Sequence, residues 1–159
     1  MHYRLYLPAD FPQLYAIERE CFQPPFRFPR RYMRQLVDSP DSATWIAEED
    51  QQITGFAIVI WTRESEETIA YIQTVEVAPT HRNRGIASEL LHRIEASSKA
   101  AGANVLWLHV AETNASAIRL YQAHGYLLQG REENYYAQGI PALAYAKSLN
   151  EPVILTTEP

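Results

Sequence analysis

A change of hydrophobic period at Pro79 constrains this chain more than any other feature. Before it, residues 44–48, 53–61 and 69–77 read as three strand-like runs in succession, joined by the polar turns Asp50-Gln-Gln52 and Thr62-Arg-Glu-Ser-Glu-Glu-Thr68. After it, Ile86, Leu90, Ile94 and Ala101 recur at helical spacing until Gly102, and residues 104–110 return to a strand. Consecutive strands joined by short turns pair antiparallel, whereas a strand–helix–strand unit makes a right-handed parallel crossover. Residues 69–77 belong to both patterns, so one sheet must hold both. The fold class is a mixed α/β sheet.

The flanks extend the pattern. Residues 3–7 are a short β-prone stretch stopped by Pro8. Asp10 is placed to cap a helix whose apolar positions are Phe11, Leu14, Ile17 and Cys21. The run Phe22-Gln-Pro-Pro-Phe-Arg-Phe-Pro29 forbids a continuing helix and makes a stiff aromatic loop, either a packed connector or the wall of a groove. A second helix spans about 30–37, with Tyr32, Met33, Leu36 and Val37 available to one face. Beyond 110, residues 113–124 read as a helix closed by Gly125, then 126–129 and 143–149 as strands. The expected order is β-α-α-β-β-β-α-β-α-β-β, one domain over residues 1–149, with a loose tail over 150–159.

Composition excludes several classes. The 159 residues carry 14 Lys and Arg against 19 Asp and Glu, a net charge of −5, which argues against a nucleic-acid partner. The run Gly55-Phe-Ala-Ile-Val-Ile-Trp61 is far short of the ~20 residues of a membrane helix, and the N-terminus lacks the pattern of a signal peptide. One cysteine, Cys21, cannot form an internal disulfide and reads as a helix residue rather than a nucleophile. The expectation is a cytoplasmic protein without a membrane partner. The five histidines have no metal-ligand spacing, so no metal is expected, and no Gly-x-Ser-x-Gly elbow occurs.

In this acidic chain, Ala78-Pro-Thr-His-Arg-Asn-Arg-Gly-Ile-Ala87 is a local knot of positive charge just before a helix. A helix start presents unpaired N–H groups and a positive dipole end, and two arginines add fork-shaped donors suited to phosphate. A solvated basic turn has the same sequence signature. The glycines of a Rossmann or Walker loop are missing.

The pattern Arg82-x-x-Gly85-x-Ala87 resembles the coenzyme A signature of the GNAT superfamily of N-acetyltransferases. The segment Leu106-Trp-Leu-His-Val-Ala-Glu-Thr-Asn-Ala-Ser-Ala-Ile-Arg-Leu-Tyr-Gln-Ala-His-Gly-Tyr126 is similar to that family's strand–Asn–helix–Tyr–Gly-aromatic stretch. Arg131-Glu-Glu-Asn-Tyr-Tyr136 resembles the double tyrosine of the N-terminal protein acetyltransferases: the bacterial RimI type and the eukaryotic NatE and NatA catalytic subunits. The likeness runs from about residue 3 to 149 and is densest over 69–136. It implies a GNAT-like sheet splayed between the fourth and fifth strands, acetyl-CoA as co-substrate, and a peptide or protein N-terminus as acceptor.

The chemistry fits such an acceptor. An α-amine, with pKa ~7.7–8.0, is neutral in about a tenth of molecules at pH 7, and a lysine at ~10.4 in less than about one in a thousand. A base of modest pKa is therefore enough for the former. Val105, Trp107 and His109 share one strand face, and His109 is the leading base. The resemblance pairs it with Tyr71 on the neighbouring strand, as in NatE, whereas RimI-type enzymes have Glu at the position of His109. Glu76 is an alternative base, but ideal alternation turns it away from Tyr71, so that only a bulge would bring both to one site. A core histidine and a packing tyrosine remain open readings of His109 and Tyr71.

The resemblance makes Tyr121 the proton donor to the thiolate and puts Arg82, Asn83, Arg84, Gly85, Ile86, Ala87 and Ser88 along the coenzyme, with Asn114 at the helix start. Plain packing and plain capping would also account for Tyr121 and Asn114. Backbone groups of Val75 and Val77 would pair with the pantetheine arm as an added strand does. Phe22, Pro25 and Phe26, with Tyr135 and Tyr136, would wall the peptide groove as two loops, and Phe28 could replace Phe26. Two rivals stand beside this reading: an enzyme acetylating a small amine or a lysine, and a non-catalytic acyl-CoA-binding module, the latter favoured if His109 and Tyr71 point into the core.

Overall fold

In the computed structural model, which describes residues 1–150, the chain runs β1 (His2–Leu5), α1 (Phe11–Cys21), α2 (Arg30–Asp38), β2 (Ser42–Glu49), β3 (Gln52–Glu64), β4 (Glu67–Val77), α3 (Ile86–Ala100), β5 (Ala103–Ala111), α4 (Ala115–Ala123), β6 (Leu127–Ala137) and β7 (Ile140–Ser148). Short 3-10 turns precede α1 and α3. This is the expected element order. Apart from Asn150, the tail expected over 150–159 lies outside the described residues.

The strands make one seven-stranded sheet in the order β1-β2-β3-β4-β5-β7-β6. Pairing is antiparallel throughout, except that β4 and β5 run parallel across the α3 crossover. That parallel pairing is short. Its last partners are Tyr71 and Trp107, after which β4 runs on to Val77 and β5 to Ala111 without pairing to each other. The sheet is thus splayed at the expected place.

Each face has its own core. On one, Leu90, Leu91 and Ile94 of α3 pack with Val59, Ile72, Leu106 and Leu108. On the other, Phe11, Leu14 and Ile17 of α1 and Met33 and Leu36 of α2 cover Ile46, Phe56 and Ile58. At ~25 cal/mol per Å² of buried apolar surface, these two stripes are the main drive to collapse.

Three details differ from expectation, and a fourth, the burial of Glu18, was not anticipated. The Asp10 carboxylate does not cap α1; it accepts the Leu7 amide (2.8 Å) and pairs with Arg4 (2.7 Å), closing the preceding turn instead. Glu18 of α1 is fully buried. Tyr32, expected on the packed face of α2, is exposed. Most consequentially, β6 does not stop near 129 but continues to Ala137, so Tyr135 and Tyr136 sit on an edge strand rather than a loop. Its residues are exposed up to Tyr135, and no apolar alternation marks it. Backbone pairing to β7 holds it, interrupted by an irregular stretch between Glu132 and Ala137 where Asn134 takes a left-handed φ of 55°.

Candidate active site

A register shift in β4 organises the site. Val59 of β3 faces Ile72, but the next residue, Ile58, faces Thr74, so Gln73 is an extra residue in a β-bulge. Ile58 and Phe56 lie on the face covered by α1. Their partners Thr74 and Glu76 share that face, and Ile60 puts Tyr71 there too. The bulge required to bring Tyr71 and Glu76 to one side is therefore present. Across the parallel pairing, Tyr71 faces Trp107, and alternation carries His109 to the same side.

Beyond Tyr71 and Trp107 the splay opens a cleft through the sheet in two connected parts. The acceptor part, about 230 Å³, includes Tyr71, His109, Phe22, Phe26, Tyr135 and Tyr136 in its lining. The cofactor part, about 600 Å³, runs along Val75–Val77 to Arg82, Gly85 and Ser88. Asn114 and Tyr121 line both. Burial raises the Tyr121 phenol above its ordinary range, so it holds its proton at neutral pH.

The acceptor part is a chain of aromatic contacts. Phe26 meets Tyr136 edge-on at 5.0 Å, Tyr136 meets Tyr135 at 4.9 Å, and Tyr135 stacks on the His109 ring at 4.5 Å and 12°. The walls from the α1–α2 loop and from β6 therefore touch. Burial lifts the Tyr136 phenol to about 12. His109 Nε2 also lies 3.0 Å from Glu132 Oε1. Pro25 is not among the lining residues, while Phe28, Tyr32, Gln73 and Glu18 are. The loop presents Phe22, Phe26 and Phe28, and Phe28 is fixed at both backbone ends: its amide donates to Glu18 Oε2 (3.0 Å) and its carbonyl accepts from Tyr15 (2.9 Å).

The cofactor part suits a phosphorylated pantetheine. Asn83 and Gly85 take left-handed backbone angles of 63° and 78° just before α3, which turns amides toward the helix start. From Ile72 on, β4 pairs only with β3, leaving its other edge for a strand-like arm. Two of the expected coenzyme contacts have protein partners in this structure. The Arg84 guanidinium lies outside the cleft lining, forked onto Glu49 at 3.0 and 3.2 Å, because the β2–β3 turn brings that carboxylate close. The Val77 carbonyl is not bare: Arg82 Nε donates to it at 3.2 Å, and the Cys21 thiol lies 3.6 Å away. Arg82 Nη2 reaches Cys21 Sγ at 3.5 Å, and burial raises that thiol to about 11, leaving it a poor nucleophile. The Asn114 Oδ1 accepts the Ala117 amide (3.3 Å), so its cap role is real and only its amide nitrogen remains to serve a ligand. Ser88 Oγ is 3.1 Å from His124 Nε2.

Two carboxyls sit at the floor, Glu18 fully buried and Glu76 3 % exposed. Thr74 donates to Glu76 Oε2 at 2.7 Å. Burial, then the neighbouring Glu18, pushes the Glu76 carboxyl well above the usual range. Glu18 was legible in one respect: 11, 14, 18 and 21 form a single helical stripe, with a carboxylate among its apolar members.

Residues 11–126 match the acetyltransferase (GNAT) family. The chain belongs to that family. It is 31% identical over 147 residues to histone acetyltransferase MCC1 of Arabidopsis thaliana, covering 77% of this chain and 58% of that protein. It is 29% identical over 128 residues to the catalytic subunit NAA10 of the N-terminal acetyltransferase A complex of the same plant, covering 79% and 67%. The chain thus spans little more than half of the first relative's length. Among solved structures, Arabidopsis thaliana NAA60 in complex with a bisubstrate analogue superposes with a TM-score of 0.80 at 26% identity, covering 92% of this chain and 97% of that one. Among the described residues, no group of His, Cys, Asp and Glu is arranged to hold a metal ion.

Proposed function

We propose that this protein transfers the acetyl group of acetyl-CoA directly to the α-amine of a protein N-terminus. The observation that carries this is the contact between the two walls of the acceptor groove: with Phe26 against Tyr136, the groove is narrow and suits an extended chain end better than a long side chain entering from the side. The relatives' names alone do not choose, since they include a histone and an N-terminal acetyltransferase.

When bound, acetyl-CoA supplies an activated thioester. His109 accepts the amine's proton, directly or through a water held with Tyr71. Both residues line the groove, which disfavours the non-catalytic module. Tyr121, protonated at the junction of the two clefts, returns a proton to the departing sulfur. In sum the N–C bond forms, the C–S bond breaks, and one proton passes from nitrogen to sulfur. Arg82, the amides around Gly85 and the open edge at Val75 would hold the coenzyme.

The test is turnover of acetyl-CoA against peptides with free N-termini beginning Met-Leu, Met-Ala, Ser or Ala, beside N-blocked peptides carrying one lysine. Acetylation confined to free N-termini is the expected result. Acetylation of lysine alone would replace this acceptor by a side chain.

A further inference from the structure

The floor of the cleft contains an unresolved polar arrangement. Glu18 Oε1 and Glu76 Oε1 are both buried and both lack a hydrogen-bond partner when the side chains are carboxylates. Unpartnered buried acceptors on two neighbouring carboxyls cost free energy unless a proton joins them. The remaining oxygens are already used, Glu18 Oε2 by the Phe28 amide and Glu76 Oε2 by Thr74 Oγ1. A proton on Glu76 turns the two orphaned oxygens into one O–H···O bond that runs from β4 to α1 and on to the aromatic loop.

We propose that Glu18 and Glu76 form a proton-held joint that positions Phe28 and the aromatic loop beneath the acceptor groove. Glu76 donates to Glu18 Oε1, and Glu18 Oε2 holds the Phe28 amide. Both are positioning residues, and the role rests on reading this groove as the acceptor site.

The neighbours leave the proton as the means of relief. On α1, Cys21 is neutral, its thiol raised by burial and by Glu76. After β4, the Arg82 guanidinium directs Nε to Val77 O and Nη2 to Cys21 Sγ. On α4, Tyr121 is buried and neutral. The β3 residue opposite Glu76 is the apolar Phe56. Burial and Glu18 both favour protonated Glu76, in agreement with the geometry.

The sign of the linkage follows. A carboxyl whose pKa is raised on folding stabilises the protein fully below its unfolded pKa of about 4.3, and that stabilisation is lost as pH rises through the folded value. Glu76→Gln supplies an N–H donor that no pH removes, and Glu18→Gln supplies one from the other side. The first experiment is the Tm of wild type and both variants from pH 5 to 9. The variants should gain on wild type as pH rises, by on the order of 3 °C for each tenfold change in the folding equilibrium. A gap that stays constant with pH overturns the joint, and either variant suffices should the other not fold.

The second experiment is the affinity of an N-acetylated product peptide, which has no amine to titrate. Wild-type affinity should fall several-fold between pH 6.5 and 9 and stay level in the variants. A widening Tm gap with affinity flat in all three proteins would overturn the positioning role. Absence of any peptide binding would sink the acceptor reading and the positioning role with it, while the Tm series still decides the proton.

Discussion

The two parts of the cleft are built from different materials. The cofactor part is largely backbone: the bare edge of β4 after the splay, left-handed Asn83 and Gly85, and the start of α3, all within one short segment. The acceptor part is side chains brought from far apart in sequence: Phe26 from the loop, Tyr71 from β4, His109 from β5, and Tyr135 and Tyr136 from β6. A backbone-built site tolerates many side-chain changes and leaves a compact sequence signature. A site built of side chains is only as good as their mutual contacts. Substitutions should therefore separate cleanly, with acceptor-side changes moving kcat or peptide KM and cofactor-side changes moving acetyl-CoA KM.

The largest effect belongs to His109. His109→Ala should lower kcat by roughly 10²–10⁴ at neutral pH while acetyl-CoA KM stays within about twofold. Steady-state kinetics with a free N-terminal peptide, on protein whose Tm is shown to be unchanged, checks this. Unchanged kcat would remove His109 as base.

A matched pair comes next. Arg82→Ala removes the one guanidinium found in the cofactor lining, and a lost charge-assisted bond of about 1.5–3 kcal/mol raises acetyl-CoA KM by roughly tenfold or more. Tyr136→Ala removes two ring contacts that hold the groove wall, together worth about 1–3 kcal/mol, so peptide KM should rise roughly fivefold or more and acetylation of lysine peptides should become measurable. If each variant shifted both KM values alike, the two parts would be one coupled site and the contrast would fail.

The same contrast explains what could be read in advance. The element order followed from period and turn chemistry, because the strands and helices of the centre are amphipathic or apolar, whereas the splay was implied by the family resemblance. The coenzyme segment was marked by residues 82–87, whose motif carries the family resemblance, because its geometry is local. The reach of β6 was hidden because residues 127–135 are all exposed and leave no alternation to detect. The bulge at Gln73 was hidden because face parity is a property of pairing with β3, not of β4 alone. Glu18 is the intermediate case: its stripe position was visible, but its partner Glu76 lies on a distant strand.

The smallest effect is the most diagnostic for the cofactor part. The sequence places Arg84 beside Arg82 as a second phosphate fork, yet its guanidinium holds both oxygens of Glu49 on β2, with His81 Nε2 3.4 Å from the same carboxylate. An exposed ion pair of this kind adds little stability and weakens with salt. If the pairing persists with coenzyme bound, Arg84→Ala changes acetyl-CoA KM by less than about twofold, far less than Arg82→Ala. Glu49→Gln, by releasing the arginine toward an arriving phosphate, should lower that KM slightly at low salt and not at high salt. An Arg84→Ala loss equal to that of Arg82→Ala would mean that the guanidinium leaves Glu49 for the coenzyme. The cofactor part would then depend on side chains as much as the acceptor part does.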